Sequence, residues 1–225
     1  MNSWLSKRKH ARHRTTVQDE GIRSVKDRPL YLLDADEVLI AFVDPFAAFL
    51  KKRGYRLHFG SFALAGNIYP LDSDEPCNEE EVARLISEYF NSCCDRCEAI
   101  PGAVEAVRTL QKFGDVVILT NVPGHLAERR RRALARIGID TPLTANRGPK
   151  GPRAREFAEG RRAPVVFLDD LPLQHASVAR HAPSVRRVHF LAHPRLRDLV
   201  PPADAAERSF SNWPECLEYL IEITG

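Results

Sequence analysis

At 225 residues, with 44% hydrophobic and 28% charged side chains, the chain has the composition of an ordinary globular protein, which excludes wholesale disorder. Its length suits one full α/β domain with residues left for a smaller insertion, and no uninterrupted apolar run approaches a bilayer span, so no membrane partner is expected. The net charge of +3 is too small to imply a nucleic-acid partner by itself, although the excess is uneven and much of it sits in residues 7–14.

The first 28 residues lack apolar periodicity, and Lys7, Arg8, Lys9, His10, Arg12, His13 and Arg14 form a basic run that reads as a solvated tail. The start turns basic before an apolar segment develops, unlike a secretory signal, so a cytoplasmic location is expected. The five cysteines are an odd set, with Cys93, Cys94 and Cys97 crowded together, Cys77 upstream and Cys216 far away. Without a second Cys-x-x-Cys or a His pair at zinc spacing, they read as free thiols.

Leu30 to Leu33 is an apolar run without polar alternation, as expected of a parallel strand covered on both faces, and it ends in Asp34 and Asp36. Residues 41–99 differ in character and read as an inserted, mostly helical cap. Its first helix is expected around Phe46 to Leu50, with Asp44 as N-cap, Pro45 at the first helical position and Gly54 as the stop. A second is expected from Asn78, with Glu79, Glu80 and Glu81 in its first turn and Val82, Leu85, Ile86, Tyr89 and Phe90 on one apolar face. The aromatic, Gly- and Pro-containing stretch between them shows no period. Its Arg56, His58, Phe59, Phe62, Asn67 and Tyr69 read either as pocket lining or as the cap's own core.

From residue 100 the alternation of strand and helix resumes. Val104, Val107, Leu110 and Phe113 suggest the buried face of a helix ended by Gly114, and Val116 to Leu119 a second buried strand ending in Thr120 and Asn121. Residues 124–137 read as a helix with an exposed basic face at Arg129 to Arg132, capped by Gly138. A short strand near residues 142–145 leads to Lys150 at a helix start. Pro164 to Leu168 is the clearest strand, delivering Asp169 and Asp170, and it is followed by a helix over residues 172–181, a strand over 185–190 and a last helix over 213–223. Such alternation predicts an α/β fold with a doubly wound parallel sheet, right-handed crossovers and helices on both sides. The core is then 29–40 with 100–225, and the cap 41–99.

Three buried strands thus end in acidic or hydroxyl-bearing residues, and Lys150 opens a helix between the last two. Taken singly, Thr120 or Asn121 reads equally as a helix cap, Lys150 as a surface amine, and Asp169 with Asp170 as an N-cap. In this order, Asp34-x-Asp36, Thr120-Asn121, Lys150 and Asp169-Asp170 resemble the four signature motifs of the haloacid dehalogenase superfamily, in its phosphatase branch. Glu37 and Val38 depart from the Gly and Thr frequent after the second aspartate.

The resemblance implies a Rossmann-like core and a hydrolase of small phosphorylated metabolites. Asp34 would be the nucleophile, Asp36 the general acid and then base, Thr120 with Asn121 a phosphate ligand, and Lys150 a charge anchor that also meets the phosphate. Mg²⁺ would be held by Asp34, Asp169, the backbone carbonyl of Asp36 and the nearby Asp170. A phosphomutase needs the same residues, and a regulatory protein could keep the metal site without turnover. Crowding of four carboxylates would cost about 4 kcal/mol for each pair 4 Å apart at an effective dielectric near 20, so a cation is required on physical grounds as well.

Overall fold

The computed structural model describes residues 27–225, and the basic run at residues 7–14 lies outside the described residues. Six strands, β1 (Leu30–Leu33), β4 (Asp115–Thr120), β5 (Leu143–Ala145), β6 (Val165–Asp169), β7 (Arg186–Phe190) and β8 (Arg208–Phe210), form one sheet in the order β5-β4-β1-β6-β7-β8. Every pair is parallel. The chain therefore winds outward from β1 through β4 to β5 and then restarts on the other side of β1 with β6. β1 and β6 are the neighbours between which the direction reverses, and in such sheets ligands bind in the crevice beyond the C-terminal ends at that point.

The absence of polar alternation in β1 follows from its position. Leu30 and Leu32 pack with Val117, Leu119 and Phe167 beneath α5 (Gly151–Ala158) and α6 (Pro172–His181), through Ala154 and Val178. Tyr31 and Leu33 point to the other face, where they join Ile118, Val166 and Leu168 beneath α3 (Ala103–Phe113) and α8 (Trp213–Glu222). All four β1 residues are wholly buried, so each face of the strand needs an apolar side chain. Helix α3 meets the sheet on Ala103, Ala106, Val107 and Leu110, whereas Phe113, expected on its buried face, is 45% exposed. Two short elements of the core escaped sequence reading, α7 (Pro194–Arg197) and the edge strand β8, because three or four residues are too few to display a period.

Residues 41–99 leave and return at one place. Ala41 N–H donates to the Glu98 carbonyl at 2.9 Å, and Ile100 N–H donates to that of Leu39 at 3.0 Å. The segment holds α1 (Val43–Lys51), an antiparallel hairpin of β2 (Tyr55–Leu57) and β3 (Ile68–Pro70), and α2 (Glu79–Cys93). Phe46, Phe49, Leu50, Ile68, Val82, Leu85 and Tyr89 give it an apolar cluster of its own. Asn78 caps α2, its side chain accepting from Glu81 N–H at 2.9 Å, as its sequence position suggests.

Two expectations for this segment are corrected. Helix α1 begins at Val43 after Phe42, which leaves Asp44 inside the first turn rather than at its cap. The aperiodic stretch contains the hairpin, whose loop is tied by buried Asn67. Its amide donates to Ala63 O at 2.6 Å and to Ser61 Oγ at 2.7 Å, while its oxygen accepts from Gly60 N–H at 3.2 Å.

Helix α5 approaches α6 so closely that a Cβ on Gly151 would stand 2.2 Å from the Ser177 carbonyl oxygen, a backbone atom that cannot step aside. Gly151→Ala is therefore expected to cost about 1–3 kcal/mol in urea unfolding, as overpacking does. Gly124→Ala, where a Cβ meets nothing within 4 Å, is expected to leave the midpoint nearly unchanged.

Candidate active site

The sheet brings its chemistry to one edge. Thr120 and Asp169 are the last residues of β4 and β6, the strands that flank β1, and Asp34 follows β1 directly. Asp34 N–H donates to the Leu168 carbonyl at 2.9 Å, which seats Asp34 beside Asp169. Lys150 stands at the start of α5 with its side chain wholly inside the protein, and its Nζ lies 2.7 Å from Asp34 Oδ1 and 2.6 Å from Asp169 Oδ2. Its own N–H donates to Gln174 Oε1 at 2.8 Å, fixing the turn from which the side chain departs. Asp34 Oδ1 also accepts from Ala35 N–H at 2.7 Å, and Asp169 Oδ1 from Leu171 N–H at 2.9 Å.

Asp34, Asp169 and Asp170 each offer a carboxylate oxygen within 4.8 Å of the others. Three carboxylates against the single ammonium of Lys150 leave the crevice short of positive charge. Burial pushes the Asp34 carboxyl up to about 6, against the attraction of Lys150 and with the help of Asp169. Asp170 is held well above the ordinary carboxylate range by burial and by Asp169 and Asp34. Lys150 is held protonated by Asp169 and Asp34 in spite of its burial. An all-oxygen donor set with this unbalanced charge fits a hard divalent cation.

The other candidate residues are placed differently. Thr120 is buried at the end of β4, immediately beside the β1 terminus. Asn121 is exposed and fastens the neighbouring loops, its Nδ2 donating to Gly148 O at 3.0 Å while its oxygen accepts from Asn146 Nδ2 at 2.8 Å. The Asp36 carboxylate stands outside the Asp34, Asp169 and Asp170 group and turns toward Arg130 of α4 (Ala127–Arg136), with Nη1 3.3 Å from Asp36 Oδ1. Burial pushes the Asp36 carboxyl up, and Arg130 opposes that.

Arg130 corrects the sequence reading, which placed it on an exposed basic face. It is 3% exposed, whereas Arg129, Arg131 and Arg132 face solvent or its margin. The signal was present in the period, since Arg130 lies four residues after Leu126 and four before Leu134, both buried. It was masked by the run of four arginines, which reads as a uniformly wet surface.

Glu37, where the superfamily commonly has Gly, has a positive φ of 59°, a backbone state that costs a side-chain-bearing residue strain. The buried carboxylate gives a local reason for keeping it. Glu37 Oε1 accepts from Phe42 N–H at 2.9 Å and from Val43 N–H at 2.8 Å, satisfying two donors at the start of α1. Beneath the acidic group, His175 Nε2 lies 3.0 Å from the Asp169 carbonyl and His189 Nε2 lies 3.0 Å from that of Asp170, so two buried imidazoles hold the backbone that presents the carboxylates.

Glu37→Ala is expected to lower stability by about 1–2 kcal/mol in urea unfolding, because it strands two helix-start donors and keeps the unfavourable φ, and Glu37→Gln is expected to recover part of the loss. Burial lowers the His175 pKa to about 4. Below the unfolded value near 6.5 the unfolded chain takes up a proton that the folded chain refuses, so this residue's contribution to stability falls as pH drops toward 4. His175→Gln, which does not titrate, is expected to gain on the wild type by up to about 3 kcal/mol between pH 7 and pH 4, read from paired denaturation curves.

No protein-family model and no curated protein matches the chain. Solved structures do. A haloacid dehalogenase family hydrolase from Deinococcus radiodurans, with bound phosphate and sodium, is 19% identical with a TM-score of 0.59, over 87% of this chain and 95% of that one. A predicted phosphoglycolate phosphatase from Haemophilus somnus is 14% identical with a TM-score of 0.56, over 87% and 98%. A variant of CbbY from Rhodobacter sphaeroides, in complex with xylulose-1,5-bisphosphate, is 15% identical with a TM-score of 0.54, over 84% and 96%. With a six-stranded parallel sheet in this order and acidic residues at its switch point, the chain has the fold of the haloacid dehalogenase-like hydrolases.

Proposed function

We propose that the chain is a Mg²⁺-dependent phosphatase that hydrolyses a small organic phosphate monoester through an aspartyl phosphate on Asp34. The observation that carries the reading is Lys150 Nζ standing between Asp34 and Asp169, with Asp170 beside them, at the switch point of the sheet. Structural neighbours that hold phosphate or a sugar bisphosphate support the same substrate class.

Asp34, Asp169 and Asp170 would hold the ion with oxygen ligands alone, and the bound ion would supply positive charge that offsets repulsion between the ester and the carboxylates. An Asp34 oxygen attacks phosphorus, forming a new O–P bond while the bond to the ester oxygen breaks. Asp36 gives its proton to the departing oxygen, which leaves as the alcohol. Water then attacks the aspartyl phosphate, Asp36 takes its proton, and inorganic phosphate departs with Asp34 restored. Thr120, buried at the end of the neighbouring strand, would hold a phosphoryl oxygen, and Lys150 keeps Asp34 aimed and charged. In this reading residues 41–99 form a cap over the crevice, and the enzyme works in the cytoplasm.

Asp34→Asn is expected to reduce hydrolysis of a generic aryl phosphate to background, and EDTA to do the same reversibly; full turnover by the variant would refute Asp34 as the nucleophile. A second check does not need turnover. Mg²⁺ is expected to raise the thermal midpoint of the wild type and to leave that of Asp169→Asn unmoved.

A further inference from the structure

We propose that Arg130 is a positioning residue for proton transfer, holding the Asp36 carboxylate by one oxygen so that the other meets the leaving group of the substrate. The inference rests on the phosphatase reading, and concerns a residue that none of the four motifs contains.

Arg130 occupies a position where α4 would ordinarily present an apolar side chain, between Ala127 and Leu134 on its buried face. An isolated guanidinium there is costly, and replacing buried ion pairs with apolar side chains is often neutral or stabilising, so packing alone gives weak reason for an arginine. Its surroundings point one way. The guanidinium lies 5.6 Å from the centre of the Phe90 ring and Nη1 lies 3.9 Å from Cys97 Sγ, and the carboxylate it meets is that of Asp36. The aromatic and thiol contacts fix its direction, while Asp36 gives it a counter-charge.

The pair is not saturated. At 3.3 Å the Nη1 to Oδ1 contact is an ion pair without hydrogen-bond alignment, and both Asp36 Oδ1 and Arg130 Nε are buried with no hydrogen-bond partner. An interaction kept purely for stability would leave neither atom orphaned, because an unmet buried polar atom costs about 1–3 kcal/mol. The Asp36 side chain is 22% exposed although Oδ1 is buried, so its accessible part is not the oxygen that faces Arg130. The arrangement thus anchors one oxygen and presents the other, as a side chain that must pass a proton to a leaving oxygen requires. Asp36 follows a β1 terminus that supplies Asp34, and Glu37 after it is locked to α1. Arg130 therefore fixes the one part of this turn that the backbone leaves loose, the torsion of the Asp36 side chain.

The experiment compares kcat/KM of wild type, Arg130→Met and Arg130→Lys on an alkyl phosphate and on a nitrophenyl phosphate. This parameter reports only steps up to departure of the leaving group, and nitrophenolate leaves without a proton whereas an alkoxide needs one. Arg130→Met is expected to lose about 100-fold on the alkyl ester and no more than about threefold on the nitrophenyl ester, with Arg130→Lys between it and the wild type on the alkyl ester. In an Asp36→Asn background the Arg130→Met loss is expected to vanish. Equal losses on the two esters, or a loss that persists without Asp36, overturn the role of Arg130 while leaving the phosphatase reading intact. Absence of wild-type turnover on both esters overturns both. Should Arg130→Met not fold, the same split read on Arg130→Lys decides the matter.

Discussion

The ammonium of Lys150 lies within 2.7 Å of Asp34 and within 2.6 Å of Asp169, inside a crevice where three carboxyl groups converge. Without a cation at that point, the C-terminal edges of β1 and β6 would bring buried like charges together, at a cost of several kcal/mol per pair. Much of the surrounding architecture serves to deliver this amine. At the start of α5 only a residue without a Cβ, Gly151, fits against Ser177, and Gln174 of α6 takes the Lys150 N–H, so the packing of two crossover helices sets where one side chain can reach. The site is thus tied to the core through backbone contacts rather than suspended on loops, which suits a centre that must hold charges in fixed positions.

A second layer repeats the logic at lower charge. His175 and His189 hold the carbonyls of Asp169 and Asp170, Glu37 ties the turn after β1 to the first helix of the inserted segment, and Arg130 meets Asp36. The two imidazoles and Arg130 are buried polar side chains whose partners are motif residues or their carbonyls, whereas Glu37, itself next to Asp36, reaches out to the backbone of Phe42 and Val43. Glu37 also links the site to residues 41–99, since the carboxylate that meets the N–H groups at the start of α1 belongs to the residue immediately after Asp36. Movement of that segment would be felt at the turn that carries the second aspartate.

Much of this was legible in the sequence. Doubly covered strands betray themselves by unbroken apolar runs, and Leu30–Leu33 and the stretch from Val165 to Leu168 did so because both faces of the sheet are packed with helices. Asn78 at the head of α2 was readable because capping is a local matter of one side chain and a nearby N–H. The hairpin of β2 and β3 was not, because strands of three residues carry no period, and its loop is shaped by the contacts of buried Asn67. Asp44 misled because Asp before Pro is a common helix start, whereas here the start is satisfied by Glu37 from six residues before Val43.

The sequence by itself determined which residues are chemically able, namely the carboxylates, the threonine and the lysine at the ends of apolar runs, and in what order they come. It also determined the winding of the sheet, because alternating strands and helices admit few topologies. Only the tertiary structure decided which of these groups touch. It seated Lys150 between Asp34 and Asp169, moved Asn121 into a loop tie, and turned Asp36 aside to an arginine that a run of four had hidden. The physical reason is that spacing along a chain fixes the face a side chain takes, whereas charge pairing depends on distances of a few ångströms between elements far apart in sequence.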